Sequence, residues 1–142
     1  MSRTQQLSKH QRGVGLIEVL ITVLVLAVGL LGISALQLTS LKNNQSAMQR
    51  SLAVVHSYTI VEAIRAEPEE NFNISIGTSP SAGSFPGAVH KLWREQLITS
   101  LGDSATGSVQ CADKHCTIIV QWDNSRDDQG SDTEQLITEV WL

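Results

Sequence analysis

Gly13-Val14-Gly15-Leu16-Ile17-Glu18-Val19-Leu20-Ile21 decides how this chain is read, because a single carboxylate stands inside a run of apolar side chains. Glu18 is the only charged residue between Arg12 and Lys42. Val14 to Leu36 supplies 23 residues without another charge. The hydrocarbon core of a bilayer takes roughly 20 residues of helix, so the run is long enough to span it. An ionised carboxylate in such a segment is expensive, which makes Glu18 a functional residue with a partner or a task.

The residues before the run sharpen this reading. Met1 to Gly13 carries Arg3, Lys9 and Arg12 and no acid, a basic leader predicted to stay in the cytoplasm. A secretory signal also begins with cations, but its apolar stretch is about 7 to 15 residues long and ends at a small-residue cleavage site. The stretch here is too long for that. The natural boundary is Gly13, and a cut there would leave the membrane anchor on the product.

The segment Gly13 through Ile21 resembles the class III signal of type IV pilins and the related pseudopilins. The resemblance implies that a membrane aspartyl peptidase, the prepilin peptidase, cuts between Gly13 and Val14 and methylates the new amino terminus of Val14. Glu18 would then be the fifth mature residue and serve assembly. The family usually has Phe and often Thr at the first two mature positions, where this chain has Val14 and Gly15.

Later segments extend the likeness toward minor pilins of the PilV type, the type IV pilus modification proteins. They are Gly29-Leu30-Leu31-Gly32 with Ala35-Leu36-Gln37, then Asn44-Gln45-Ser46-Ala47 through Ile64-Arg65-Ala66, and Trp93 with the Cys116 to Trp122 stretch and Asp123. What this implies is a non-catalytic structural subunit in the bacterial inner membrane, crossing once, with its amino terminus cytoplasmic and its head periplasmic. Its partners would be the prepilin peptidase, other major and minor pilins and the inner-membrane assembly machinery, and its destination a pilus or its tip or priming complex at the cell surface. A minor pseudopilin of a type II secretion system shares the same signal and helix. An uncleaved single-pass membrane protein with a periplasmic binding domain is a reading of a different class.

Composition is compatible with such a subunit. Without the leader, seven Lys and Arg face fourteen acids, a formal charge of −7. A product this acidic, with no basic stripe, carries no electrostatic footprint for nucleic acid.

Periodicity predicts that the helix continues past the membrane part (14–36) as an amphipathic part (37–67). Leu41, Met48, Leu52, Val55, Thr59 and Ala63 recur on one face, with Lys42, Asn43, Arg50, Ser57 and Glu62 elsewhere. The helix should end near Ala66, since Pro68 disfavours helix at the residue before it. Gly29 and Gly32 lie in the membrane part, where small residues permit close helix contact.

Residues 68–142 form the predicted head, small enough to benefit from a staple or a neighbouring subunit. Gly77 to Gly87 reads as an uncharged loop, and Ala88 to Leu101 as a short helix with Val89, Leu92, Trp93, Ile98 and Leu101 at helical spacing and Gly102 as its stop. Three stretches, Ser108 to Cys111, Cys116 to Asp123 and Glu134 to Leu142, read as strands. The fold expected is α+β and pilin-like: a long N-terminal helix packed by its amphipathic half on a small antiparallel sheet.

Cys111 and Cys116 enclose four residues and are predicted to form a disulfide across a hairpin in an oxidising compartment. Zinc bound by Cys111, Cys116 and His115 is the rival reading, weakened because adjacent strand residues point apart and no second ligand pair is evident. The acidic stretch Asp123 to Glu134 does not fit a calcium loop, since with Gly130 as sixth residue Ser125 and Leu136 fall where Asp and Glu are needed, and it reads as a solvated hairpin loop. His56, His90 and His115 belong to no catalytic motif. No catalytic residue, metal site or cofactor is predicted.

Overall fold

The computed structural model describes residues 15–81, 83–125 and 130–142. The chain divides after Leu38 into two units. Helix α1 (Leu16–Ala66) supplies the described part of the first unit and, from Thr39 onward, one wall of the second. It stops at Ala66, two residues short of Pro68, as the restriction on the residue before a proline requires.

The second unit adds α2 (Phe85–Leu101) and strands β1 (Thr106–Ala112), β2 (His115–Trp122) and β3 (Glu134–Trp141), in an antiparallel sheet of order β1-β2-β3. The molecule is thus α+β, a long N-terminal helix with a small antiparallel sheet in the pilin-like arrangement.

Helix α2 begins earlier than expected. Phe85-Pro86-Gly87 belongs to the helix rather than to the preceding loop, because Ser84 caps it by accepting the Gly87 amide hydrogen at 3.1 Å. Pro86 falls in the first turn, where a missing N–H costs no helical bond. At the other end Gly102 takes φ 111° and donates its N–H to the Ile98 carbonyl, closing the last turn in a conformation that favours glycine.

One sheet face makes the core. Along β2, Cys116, Ile118, Val120 and Trp122 alternate inward and are fully or almost fully buried. In register they oppose Cys111, Val109 and Gly107 of β1 and Val140, Thr138, Leu136 and Glu134 of β3. Against them pack Ala53, Ile60, Val61 and Ile64 of α1, Trp93, Leu97 and Leu101 of α2, and Phe72.

The buried face of α1 is not the one periodicity selects. Leu52 and Ala63 are partly buried, but Leu41, Met48, Val55 and Thr59 are exposed, and Ser57 is completely buried. The stripe that packs is Ser46, Ala53, Ser57, Ile60, Val61 and Ile64. Small side chains allow close packing, and the Ser57 hydroxyl donates to the Ala53 carbonyl at 2.9 Å, so it enters the core already satisfied. The same correction applies to α2. Leu92 and Ile98 are exposed, while His90, Trp93, Leu97 and Leu101 face inward with Pro86 and Gly87.

Trp93 ties three elements together. Its Nε1–H donates to the His56 carbonyl on α1 at 2.9 Å, and its ring lies against Gly107 on β1 so closely that a Cβ there would come within 2.3 Å of it. The outer edge of β1 is closed by the segment after α1, since Ile74 and Val109 exchange both backbone hydrogen bonds at 2.9 Å. Arg94 holds the same segment. Its guanidinium donates to the carbonyls of Ser75 (2.9 Å), Gly107 (2.8 Å) and Thr78, and burial lowers its pKa from the ordinary value.

Candidate functional site

In the first unit the residues around Glu18 begin a helix. The Gly15 carbonyl accepts the amide hydrogens of Glu18 (2.9 Å) and Val19 (3.3 Å), which places Glu18 in the first turn of α1. A carboxylate near a helix N-terminus is favoured by the dipole. Glu18 is exposed, and among the described residues its carboxylate has no hydrogen-bonding or ionic partner. Gly13 and Val14, the expected cleavage and methylation positions, lie outside the described residues.

Around Glu18 the described helix is uncharged and mostly apolar. An 18-residue window of α1 has a mean hydropathy of 2.8 and none of it is buried, so the helix is long and apolar enough to cross a membrane. Its hydroxyls are satisfied within the helix. Thr22 Oγ1 donates to the Glu18 carbonyl at 2.6 Å and Ser34 Oγ to the Leu30 carbonyl at 2.8 Å, so neither presents an unmet polar group to lipid. One uncompensated acid therefore remains on an apolar helix.

Residues 8–34 match the prokaryotic N-terminal methylation motif. The motif supports a type IV pilin-like protein of the kind processed by prepilin peptidase, a family of structural subunits. With the apolar helix it fits a membrane-anchored protein crossing once. The match spans 27 of the 142 residues and includes Gly13, Val14 and Glu18. No curated protein and no solved structure matches the chain.

The remaining candidates lie in the second unit. Cys111 and Cys116 are directly cross-strand and their sulfurs are bonded to each other. The intervening turn is tight: Asp113 and Lys114 take φ 48° and 68°, the two successive positive values of a two-residue hairpin turn. Beside the bridge, the Asn73 side chain pairs with the Cys111 backbone, accepting its N–H at 2.6 Å. His115 lies against Trp141 with ring centroids 4.9 Å apart and planes tilted by 49°, on the sheet face away from the buried Cys116. The zinc alternative thus loses both thiolates, and among the described residues no three His, Cys, Asp or Glu side chains converge to hold a metal.

The other two described histidines of the second unit, His56 and His90, are packing residues. His90 is buried and its Nε2–H donates to the Phe72 carbonyl at 2.9 Å, while His56 Nε2 lies 2.7 Å from Ser100 Oγ. Burial lowers the pKa of both rings. At His90 the charge of Arg94 lowers it further, against the opposing effect of the Phe72 carbonyl. The expected solvated loop between β2 and β3 lies partly outside the described residues. Its first part is anchored where Asn124 Nδ2 donates to Ser46 Oγ of α1 at 2.9 Å.

Sequence reading missed the docking roles of Asn73, Ile74 and Arg94. Phe72, Ile74 and Ile76 alternate with Asn71, Asn73 and Ser75, a period-two signal for an extended segment, whereas an arginine that pairs with carbonyls rather than carboxylates leaves no charge pattern to detect.

Proposed function

We propose that this chain is a minor type IV pilin of the PilV type, a non-catalytic subunit cut between Gly13 and Val14, methylated on Val14 and built into a pilus or its tip or priming complex. The observation that carries the reading is the unpartnered Glu18 carboxylate in the first turn of an apolar helix, inside the matched methylation motif. Residues 1–13 are the leader, 14–36 the membrane part, 37–67 the amphipathic continuation and 68–142 the periplasmic head. The basic leader favours the orientation with the amino terminus in the cytoplasm.

The mechanism is charge pairing in lipid. An ionised carboxylate in a membrane helix is costly even near its end, and the free amine produced by cleavage is a second charge without a home. Glu18 of one subunit opposite the Val14 amine of its neighbour brings the two together, offsetting desolvation that neither could bear cheaply alone and setting axial register. Met48, Val55 and Tyr58, exposed on the head half of α1, provide apolar surface for neighbouring subunits.

Intact-mass measurement on protein extracted from cells with an active prepilin peptidase tests the reading. The expected product begins at Val14 and carries one added methyl. Recovery of full-length chain alone would replace it with an uncleaved single-pass protein.

A further inference from the structure

We propose that the head binds a neutral oligosaccharide in the cleft between the 71–81 segment, the start of α2 and the outer face of the β1–β2 hairpin. The cleft has a volume of about 620 Å³, within the range of small-molecule sites, roughly 300–1,000 Å³. Among its described lining residues there is no Lys, Arg, Asp or Glu. It is walled instead by hydroxyl and carboxamide groups, among them Ser75, Ser79, Gln110 and Thr117. Several neighbouring polar side chains are committed, Asn73 to Cys111 and Ser84 to Gly87. Those four make no side-chain hydrogen bond among the described residues and remain available to a ligand.

The lining selects a ligand class by what each class requires. Phosphate, sulfate and carboxylate groups are captured by cations or convergent amides, and no cationic Lys or Arg lines this cleft. An apolar ligand needs a continuous apolar wall, and here Ile74, Pro86 and Val109 are interspersed with polar groups. A peptide would add itself as a strand along β1, but that edge is already occupied by Ile74 and the Asn73 side chain. Hydroxyls and carboxamides both donate and accept, which matches a polyhydroxyl ligand whose groups do the same.

An aromatic shelf completes the site. His115 lines the cleft, and Trp141 lies beside it with ring centroids 4.9 Å apart and planes tilted by 49°, leaving 74% of its own surface exposed. An indole this exposed offers an apolar face beside a polar groove, the pairing suited to a sugar ring with its C–H face and hydroxyl rim.

The test is saturation-transfer NMR on the full-length protein in a non-glycosidic detergent, with chitotriose and maltotriose as probes. Saturable transfer to the ring protons of either trisaccharide is expected, and the one that binds shows whether acetamido sugars or plain hexoses are preferred. Trp141→Ala should weaken binding roughly tenfold, the loss expected when one stacking partner is removed. Thr117→Val, which keeps the shape of the side chain, combined with Gln110→Ala should also weaken it, while Leu92→Ala on the exposed face of α2 should not. No transfer to either probe would overturn the proposal. Equal binding by wild type and all of these variants would overturn it too, because the sugar would then sit elsewhere. Neither result bears on cleavage at Gly13, which the mass measurement reads separately.

Discussion

Glu18 and Gly107 show how much a single side chain, or its absence, controls here. Glu18→Ala removes the one charge of the apolar stretch, so insertion becomes easier, while on the proposed mechanism the partner for a neighbouring amine is lost. The expected outcome is normal membrane level and processing of the alanine variant with loss of pilus incorporation, and partial incorporation of Glu18→Asp. Alanine and wild type appearing equally in purified pili would remove the carboxylate from the mechanism. At Gly107 the argument is steric. A methyl group there would meet the buried Trp93 ring at 2.3 Å and the Ile119 carbonyl at 3.0 Å, and Trp93 is held by its bond to His56. Gly107→Ala should therefore destabilise the head by about 1–3 kcal/mol, the usual cost of overpacking. Denaturant titration of the two proteins reads it, and an unchanged midpoint would mean that the ring moves freely.

The β1–β2 hairpin is the element on which the head's local order rests. Its two-residue turn uses Asp113 and Lys114 at positive φ, where Asn-Gly is the usual choice, and the adjacent Cys111–Cys116 bond holds the strands in register. The loop it closes is short, so the chain-entropy estimate of its contribution is only about 2 kcal/mol. Replacing both cysteines by alanine should lower the unfolding free energy by roughly that amount and leave a folded head. Maleimide labelling of denatured, non-reduced protein trapped before lysis should find both thiols blocked, and reaction of both would show that the bridge does not form in the cell. Strands β1 to β3 were readable because β-branched residues alternate between turn residues. The start of α2 was hidden, since Ser84-Phe85-Pro86-Gly87 looks like a turn until the Ser84 cap and the Pro86 position are seen together.

Across the whole molecule, His56 and His90 link head stability to pH. Burial holds both pKa values below the ordinary 6.5, so the folded head keeps neutral rings while the unfolded chain takes up protons below that value. Stability is therefore fully present above pH 6.5 and falls as pH drops from there toward the lowered folded values. Thermal midpoints measured from about pH 8 down to about pH 5 should decline for wild type and decline less for His56→Gln/His90→Gln. Parallel curves for the two proteins would assign the acid sensitivity to carboxylates instead.

The sequence by itself determined the anchor, the acid within it, the end of α1, the strands and the cysteine pair. Each of these depends on local chemistry: apolar length, charge cost, the proline restriction, period-two alternation and short separation. Only the tertiary structure decided which face of α1 is buried. Apolar residues occur on more than one face beyond Leu38, and the sheet packs against Ala53 and Ser57, where small side chains admit it, leaving Met48 and Val55 exposed. The same holds for Arg94 on its three carbonyls and the cleft beside His115. These join residues far apart in the chain through backbone groups that every residue carries, so no pattern of side chains announces them.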